Sequence, residues 1–302
     1  MTNNELPSWP HQQKYFSFYS SYFNQMTTDP KWMLVPLDDH GFHRGDGVFE
    51  AIKWKNSKIW LLEKHLDRLF QSAEKIFLRI PLLKQDLETK ISELVRLANK
   101  NSGMIRVYVT RGPGNFGVSP KETIGSQVYI VTTELKEVAQ QLIDCGARAG
   151  WSLLPPKEGF WAQTKSLNYL PNVLMKKECE DQNFDFVFGV TENELISESY
   201  TENVLCLVGD ELFYPSFEYT LKGTTLSRLV ELLECKEFSA QQLPIRQISS
   251  KRLTKDELFQ SDAIFVVGTT LDIIWINSLH NKNFSVPNCF KELRKLILQD
   301  QI

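Results

Sequence analysis

The 302-residue chain has no apolar run approaching the ~18 residues of a membrane-crossing helix. Its first residues, MTNNELPSWPHQQKYF, lack the basic stretch followed by an apolar one that marks an export signal. Both absences point to a soluble protein. Cysteine is scarce: Cys145, Cys179, Cys206, Cys235 and Cys289 are odd in number, widely spaced and without a C-x-x-C pair. That pattern suits neither a disulfide framework nor a zinc site, and makes a reducing cytoplasm the expected setting. Net charge is small as well. With 34 Lys+Arg against 37 Asp+Glu the formal charge is −3, so no global field selects nucleic acid or an anionic membrane as partner. Repeats, low-complexity tracts and charge blocks are also missing.

What is present is an ordinary globular composition, 42% hydrophobic, in a chain long enough for two domains or one large one. Apolar, β-branched and aromatic runs at Met104–Thr110, Gln127–Thr132, Phe184–Val190, Val204–Val208 and Ala263–Val267 predict strands, each bounded by turn-forming residues. Leu62, Leu66, Leu69, Phe70, Ala73, Ile76 and Phe77 form an apolar stripe at helical spacing, predicting a helix from about Leu62 to Phe77. Further helices are predicted near Leu83–Asn99, Asn172–Asp181, Thr224–Glu234 and Phe290–Gln299. Strands and helices mix without strict βαβ alternation, which favours an α+β (mixed α/β) fold over a doubly wound sheet. The polar stretch within Thr132–Ser152 is the expected junction, giving a smaller N-terminal α/β domain (1–137) and a larger C-terminal domain (138–302).

Several segments carry groups capable of chemistry. Gly41, Gly45 and Gly47 crowd the segment from Gly41 to Glu50, where the backbone either turns tightly or approaches a ligand. His40 and His43 beside Asp38 and Asp39 lack a second cluster to complete a metal site, and no metal is expected. On the first long helix, His65, Arg68 and Ser72 share a polar stripe. Arg68 there is either a bidentate ligand for an anion or a solvated surface charge. Lys222-Gly223-Thr224-Thr225 reads as a loop entering a helix, whose free amides, dipole and hydroxyls attract phosphate, although capping alone would explain the threonines. Gly268-Thr269-Thr270 is a second small-residue turn after a strand. Glu198 sits among small polar residues, where a carboxylate either pairs with a protonated heterocycle or simply lies at the surface. Lys165, in Thr164-Lys165-Ser166-Leu167-Asn168-Tyr169-Leu170-Pro171-Asn172, is singled out by no spacing rule.

The order of these segments resembles the class IV aminotransferases, the pyridoxal-phosphate (PLP) fold type IV family that includes branched-chain and D-amino acid aminotransferases and aminodeoxychorismate lyase. The match covers most of the chain. Tyr19-Ser20-Ser21, Thr28-Asp29-Pro30, Val35 to His40 and His43 to Glu50, followed by KSLNYLPNVL from Lys165 to Leu174, look especially like the D-amino acid aminotransferase and plant lyase-like subgroup. The resemblance implies two domains with PLP held between them, and a homodimer. It makes Lys165 the Schiff-base lysine and general base, which requires a desolvated amine or one near positive charge. It makes Glu198 the partner of the pyridine nitrogen, and puts Arg68, Thr224, Thr225 and Thr269 on phosphate-binding positions. Tyr169 falls near the place of a tyrosine beside the cofactor's phenolic oxygen, and Asn203 joins the cofactor set. Phe49 and Thr270 fall to the substrate, with Arg44, Lys53 and Arg111 as candidate holders of its carboxylate. Ion pairing within the small domain is the alternative for these three cations.

The implied reaction is transamination between an amino acid of D- or branched-chain type and a 2-oxo acid. The alternative within the family is 4-amino-4-deoxychorismate lyase chemistry, releasing pyruvate and 4-aminobenzoate. The chain has Arg111-Gly112-Pro113-Gly114-Asn115-Phe116 in place of the Pro-Arg-x-His carboxylate trap of bacterial D-amino acid aminotransferases, and Ala51 where the lyases commonly carry threonine. Transamination is therefore the favoured expectation. Two others belong to different classes: a non-catalytic PLP-binding protein, and an interaction protein whose motif matches are accidental.

Overall fold

The structure is a computed structural model describing residues 9–235 and 243–302. It divides into two compact units, residues 1–136 with 165–168, and 137–164 with 169–302.

The first unit is built on one six-stranded antiparallel sheet. Its strands are β1 (Tyr15–Ser20), β2 (Gln25–Thr27), β3 (Gly47–Lys55), β4 (Lys58–Ile59), β5 (Ser102–Thr110) and β6 (Gln127–Thr133), in the order β2-β1-β6-β5-β3-β4. β3 and β5 pair along their whole length, from Gly47 opposite Thr110 to Lys55 opposite Ser102. Period-2 alternation decides which side chains of β3 enter the core: Val48, Ile52 and Trp54 are fully buried there. Helices α2 (Leu62–Lys75) and α3 (Lys84–Ala98) cover that face with Leu66, Leu69, Leu87, Ile91 and Leu94, none of them exposed. A short helix, α1 (His40–Arg44), ends on Gly45 in the left-handed conformation at φ 66°, which a residue with a side chain rarely adopts.

The predicted end of α2 at Phe77 is two residues too long. Phe77 turns left-handed at φ 53°, and the amide of Leu78 closes back on Ala73 at 2.8 Å, the six-to-one bond of a Schellman ending.

The second unit carries an eight-stranded mixed sheet. It comprises β7 (Ala147–Trp151), β8 (Phe186–Phe188), β9 (Asn203–Val208), β10 (Glu211–Pro215), β11 (Gln247–Lys251), β12 (Ala263–Gly268), β13 (Asp272–Leu279) and β14 (Lys282–Asn283). Their order is β11-β10-β9-β12-β13-β7-β8, with β14 paired to β13. Parallel pairs β10/β11, β13/β7 and β7/β8 combine with antiparallel ones, as a mixed α/β fold requires. Helices α4 (Gln140–Cys145), α5 (Gly159–Ala162), α6 (Leu170–Asp181), α7 (Thr224–Glu234), α8 (Lys255–Gln260) and α9 (Phe290–Asp300) complete it. Of the expected strand Phe184–Val190 only the centre is ladder: the amide of Phe184 caps α6 at Cys179, and that of Gly189 leaves for Glu198. No helix among the described residues is long and apolar enough to cross a membrane.

Candidate active site

In the first unit the segment around Lys165 lies along the start of β3. The amide of Phe49 donates to the carbonyl of Lys165 at 3.1 Å and that of Leu167 to Gly47 at 2.9 Å, with Val48 and Ser166 bridged between them. Asn168 donates to the carbonyl of Gly45, and the amide of Lys165 to Ser72 Oγ on α2. Gly47 must lack a side chain, because a Cβ there would meet the carbonyl of Val109 at 2.5 Å. A Cβ on Gly41 would meet the Thr110 side chain at 2.3 Å and Gly45 is left-handed, so each of the three crowded glycines has a structural reason within this unit.

Lys165 Nζ stands over the ring of Phe49, 4.6 Å from its centroid. Beside it is a buried polar cluster. Glu50 Oε1 accepts from Arg68 Nε and Glu50 Oε2 from Arg68 Nη2, both at 2.7 Å, and His65 Nδ1 lies 2.7 Å from the same Oε2. Arg68 is 13% exposed and Glu50 fully buried, so this arginine is no solvated surface charge. Burial alone would raise the Glu50 carboxyl, but the charge and hydrogen bonds of Arg68, then of His65, outweigh it and hold the group down at about 2. His65 is pushed below its ordinary value, first by burial and further by the charges of Arg68 and Lys165, against the pull of Glu50. It is therefore a neutral ring donating from Nδ1 to an ionised carboxylate. The stripe of His65, Arg68 and Ser72 on α2 was legible in the sequence; Glu50 was not singled out. A signal existed, since a carboxylate in the register of Val48, Ile52 and Trp54 has to be buried, and a buried charge requires a partner.

The candidate carboxylate holders in this unit differ in their engagements. Arg111 grips Asp46 through Nε and Nη2 and also donates to the carbonyls of Ile76 and Phe77, just past the end of α2. Arg44 donates to the carbonyls of His43, Phe116 and Gly117. Lys53 shares the face of β3 that carries Phe49, with its amine 5.4 Å from the Trp60 ring centroid. His40 Nε2 lies 3.0 Å from the carbonyl of Asn115, and His43 Nε2 3.3 Å from that of Asp38.

In the second unit the chain between β10 and α7 is tied down by two predicted residues. Glu198 Oε2 accepts from the amide of Leu221 at 2.9 Å; Asn203 Nδ2 donates to Thr220 Oγ1 at 2.8 Å and to the carbonyl of Leu221 at 2.9 Å. Gly223 follows, where a Cβ would collide with Asn203 Oδ1, so only glycine lets the loop pass. α7 then begins at Thr224, with Gly223 as its N-cap residue. Thr225 is buried, and its hydroxyl has no hydrogen-bond partner. A buried hydroxyl without a partner at the positive end of an eleven-residue helix is what a phosphate would satisfy, so these residues fit the cofactor's anionic end. Thr269, half-buried, and Thr270, exposed, lie on the turn between β12 and β13, next to the start of β9, because Val267 pairs with Asn203. Tyr169 begins α6, with Lys157 Nζ 5.2 Å from its ring centroid. Glu202, which the sequence did not single out, is fully buried; burial pushes its carboxyl up to about 7 even though the amide and hydroxyl of Thr201 both donate to it.

The chain matches the amino-transferase class IV family over residues 47–279. It is 32% identical over 224 residues to the chloroplastic D-amino-acid transaminase of Arabidopsis thaliana, an alignment covering 74% of this chain and 59% of that protein's length. It is 26% identical over 266 residues to the D-alanine aminotransferase of Bacillus licheniformis, covering 85% of this chain and 87% of the relative. The branched-chain amino acid aminotransferase of Escherichia coli superposes with a TM-score of 0.84 at 21% identity, over 93% of this chain and 93% of that one; at that identity it shows the fold. Another branched-chain aminotransferase of the same fold has been solved with pyridoxamine 5'-phosphate bound. The chain belongs to the class IV aminotransferases, a family of PLP enzymes, and has their fold. The motif matches are therefore not accidental, and the interaction-protein expectation is withdrawn.

Proposed function

We propose that the protein is a transaminase that moves an amino group between an amino acid, of D- or branched-chain type, and a 2-oxo acid, with Lys165 as its catalytic lysine. The observation that carries the proposal is the N-terminus of α7, where the buried Thr225 hydroxyl has no hydrogen-bond partner and follows a loop held by Glu198 and Asn203. Thr224, Thr225, Thr269 and Arg68 hold the phosphate, Glu198 the ring nitrogen, and Tyr169 and Asn203 the remaining polar edge. Bound PLP supplies an aldehyde that condenses with amines and a ring that draws electrons from the substrate's Cα. Lys165 anchors the cofactor and moves a proton at that carbon as general base and acid. Beside Lys165 the Glu50 carboxylate, itself held by His65, fixes the Arg68 guanidinium in place and balances its charge.

Transamination is favoured over lyase chemistry by Ala51 and by the activities for which the relatives are named. Phe49, Lys53, Thr270 and Arg44 are the proposed substrate contacts. Arg111 belongs to the same sequence-based set, but its pairing with Asp46 gives it a structural role in the first unit. Arg44→Ala is expected to raise the KM for the amino donor while cofactor content stays at the wild-type level; unchanged kinetics would remove Arg44 from the site. The enzyme is proposed to be cytoplasmic and to work as a homodimer, with exposed Trp32, Leu37 and Phe42 among the apolar surface a second copy would cover.

Two measurements test the proposal. Borohydride reduction and peptide mapping should place a pyridoxyl group on Lys165 of the PLP-loaded protein, and its absence there would refute the assignment. A panel of D- and L-amino donors, assayed beside pyruvate release from aminodeoxychorismate, should show amino transfer to a 2-oxo acid. Consumption of aminodeoxychorismate alone would make the protein the lyase, and no turnover of any kind would leave a PLP carrier.

A further inference from the structure

Lys157 is a half-buried cation to which the chemistry above gives no task. It follows Pro155 and Pro156, whose rings restrict the backbone leading to it, and it lines one small pocket with Pro171, Asn172, Glu198 and Ser199. That pocket is rich in acceptors. Besides the Glu198 carboxylate it has Asn172 Oδ1 and Ser199 Oγ, both buried and both without a hydrogen-bond partner. An ammonium, with three donors and no acceptor, is the complementary group, and Lys157 is the cation on that wall. On another side its amine stands 5.2 Å from the centroid of the Tyr169 ring, within reach of a cation–π attraction. Lys157 thus neighbours both residues assigned to the polar edge of the cofactor ring, Glu198 and Tyr169.

We propose that Lys157 is a positioning residue that acts through Glu198 and Tyr169 to set how tightly the bound cofactor holds its protons. This rests on the assignment of Glu198 and Tyr169 to the cofactor. Burial lowers the proton affinity of the lysine and the Glu198 carboxylate raises it, so the two residues act on each other's charge. The titratable groups concerned are Glu198 and Tyr169 around Lys157, and Glu202, which shares the field of Glu198. A positive charge at this wall disfavours added protons on everything beside it. Its removal shifts the proton equilibria of the loaded site to higher pH.

The test is a pH titration of the absorbance of bound PLP in the wild type, Lys157→Met, Lys157→Gln and Lys157→Arg. The midpoint should rise by about one pH unit in the two neutral variants and return close to the wild-type value in the arginine variant. Equal midpoints in the wild type and a PLP-loaded neutral variant would overturn the inference, as would an arginine variant that behaves like the neutral ones. Loss of the fold in both neutral variants also counts against it, because Lys157 would then be a structural cation. If the wild type itself takes up no PLP, the assignment of Glu198 and Tyr169 has failed instead, and the two failures are told apart by that control.

Discussion

Glu50 and Glu202 are both fully buried carboxyls whose surroundings send them in opposite directions. Glu50 has a guanidinium and an imidazole against it and stays ionised; Glu202 has neutral donors from Thr201 and keeps its proton up to about 7. Each therefore links stability to pH with its own sign. The folded state holds the Glu50 carboxyl below its ordinary 4.5, so its contribution is complete above that pH and is lost as pH falls toward 2. Glu202 is held above 4.5, so the folded state is favoured at low pH and loses roughly 3 kcal/mol as pH rises from 4.5 to about 7. Urea melts of Glu202→Gln should lack that decline, whereas a wild-type slope in the variant would assign it to another group. Glu50→Gln leaves Arg68 without its carboxylate and should cost about 3 kcal/mol at neutral pH in the same melts. Sequence periodicity placed Arg68 on a stripe with His65, yet gave no reason to connect it to Glu50. The pairing spans 18 residues and becomes visible only when β3 alternation and the α2 stripe are superimposed.

At the level of elements, the long periodic helices were legible because one face repeats: α2, α3, α7 and α9 lie within two residues of their predicted bounds. Several strands were not foreseen. β1, Tyr15–Ser20, buries Ser17 and Ser20 beside aromatics, which blurs its alternation, and β13, Asp272–Leu279, is a nearly continuous apolar run whose burial on both faces erases the period. α7 joins fold to function, since the same turn that lets Gly223 pass Asn203 sets the unpartnered Thr225 hydroxyl at the start of the helix. Thr225→Val keeps the shape of the side chain and removes the hydroxyl. PLP affinity should fall by about tenfold or more in equilibrium titration, because a hydrogen bond to a charged group contributes about 1.5–3 kcal/mol. Apo-protein stability should change little, since no protein group loses a partner. Leu66→Ala on α2 is the opposite kind of change and should cost about 2–5 kcal/mol in chemical denaturation without altering the residues assigned to the cofactor.

Taken as a whole molecule, the chain does not divide at one point. The chain passes from the first unit to the second at residues 136–137, within the polar stretch between Thr132 and Ser152. Nothing in composition revealed that residues 165–168 return to the first unit, because that return is made by main-chain pairing with Gly47 and Phe49, which leaves no periodic side-chain pattern. The order of synthesis feels the consequence. On a ribosome adding about 5–20 residues per second, the first unit waits for the 32 residues from 137 to 168, roughly two to six seconds, before its last piece emerges. Until then the edge formed by Gly47 and Phe49 is without its partner backbone. The nascent chain cannot finish its first half without having begun its second, and the residue that arrives with that final piece is Lys165 itself.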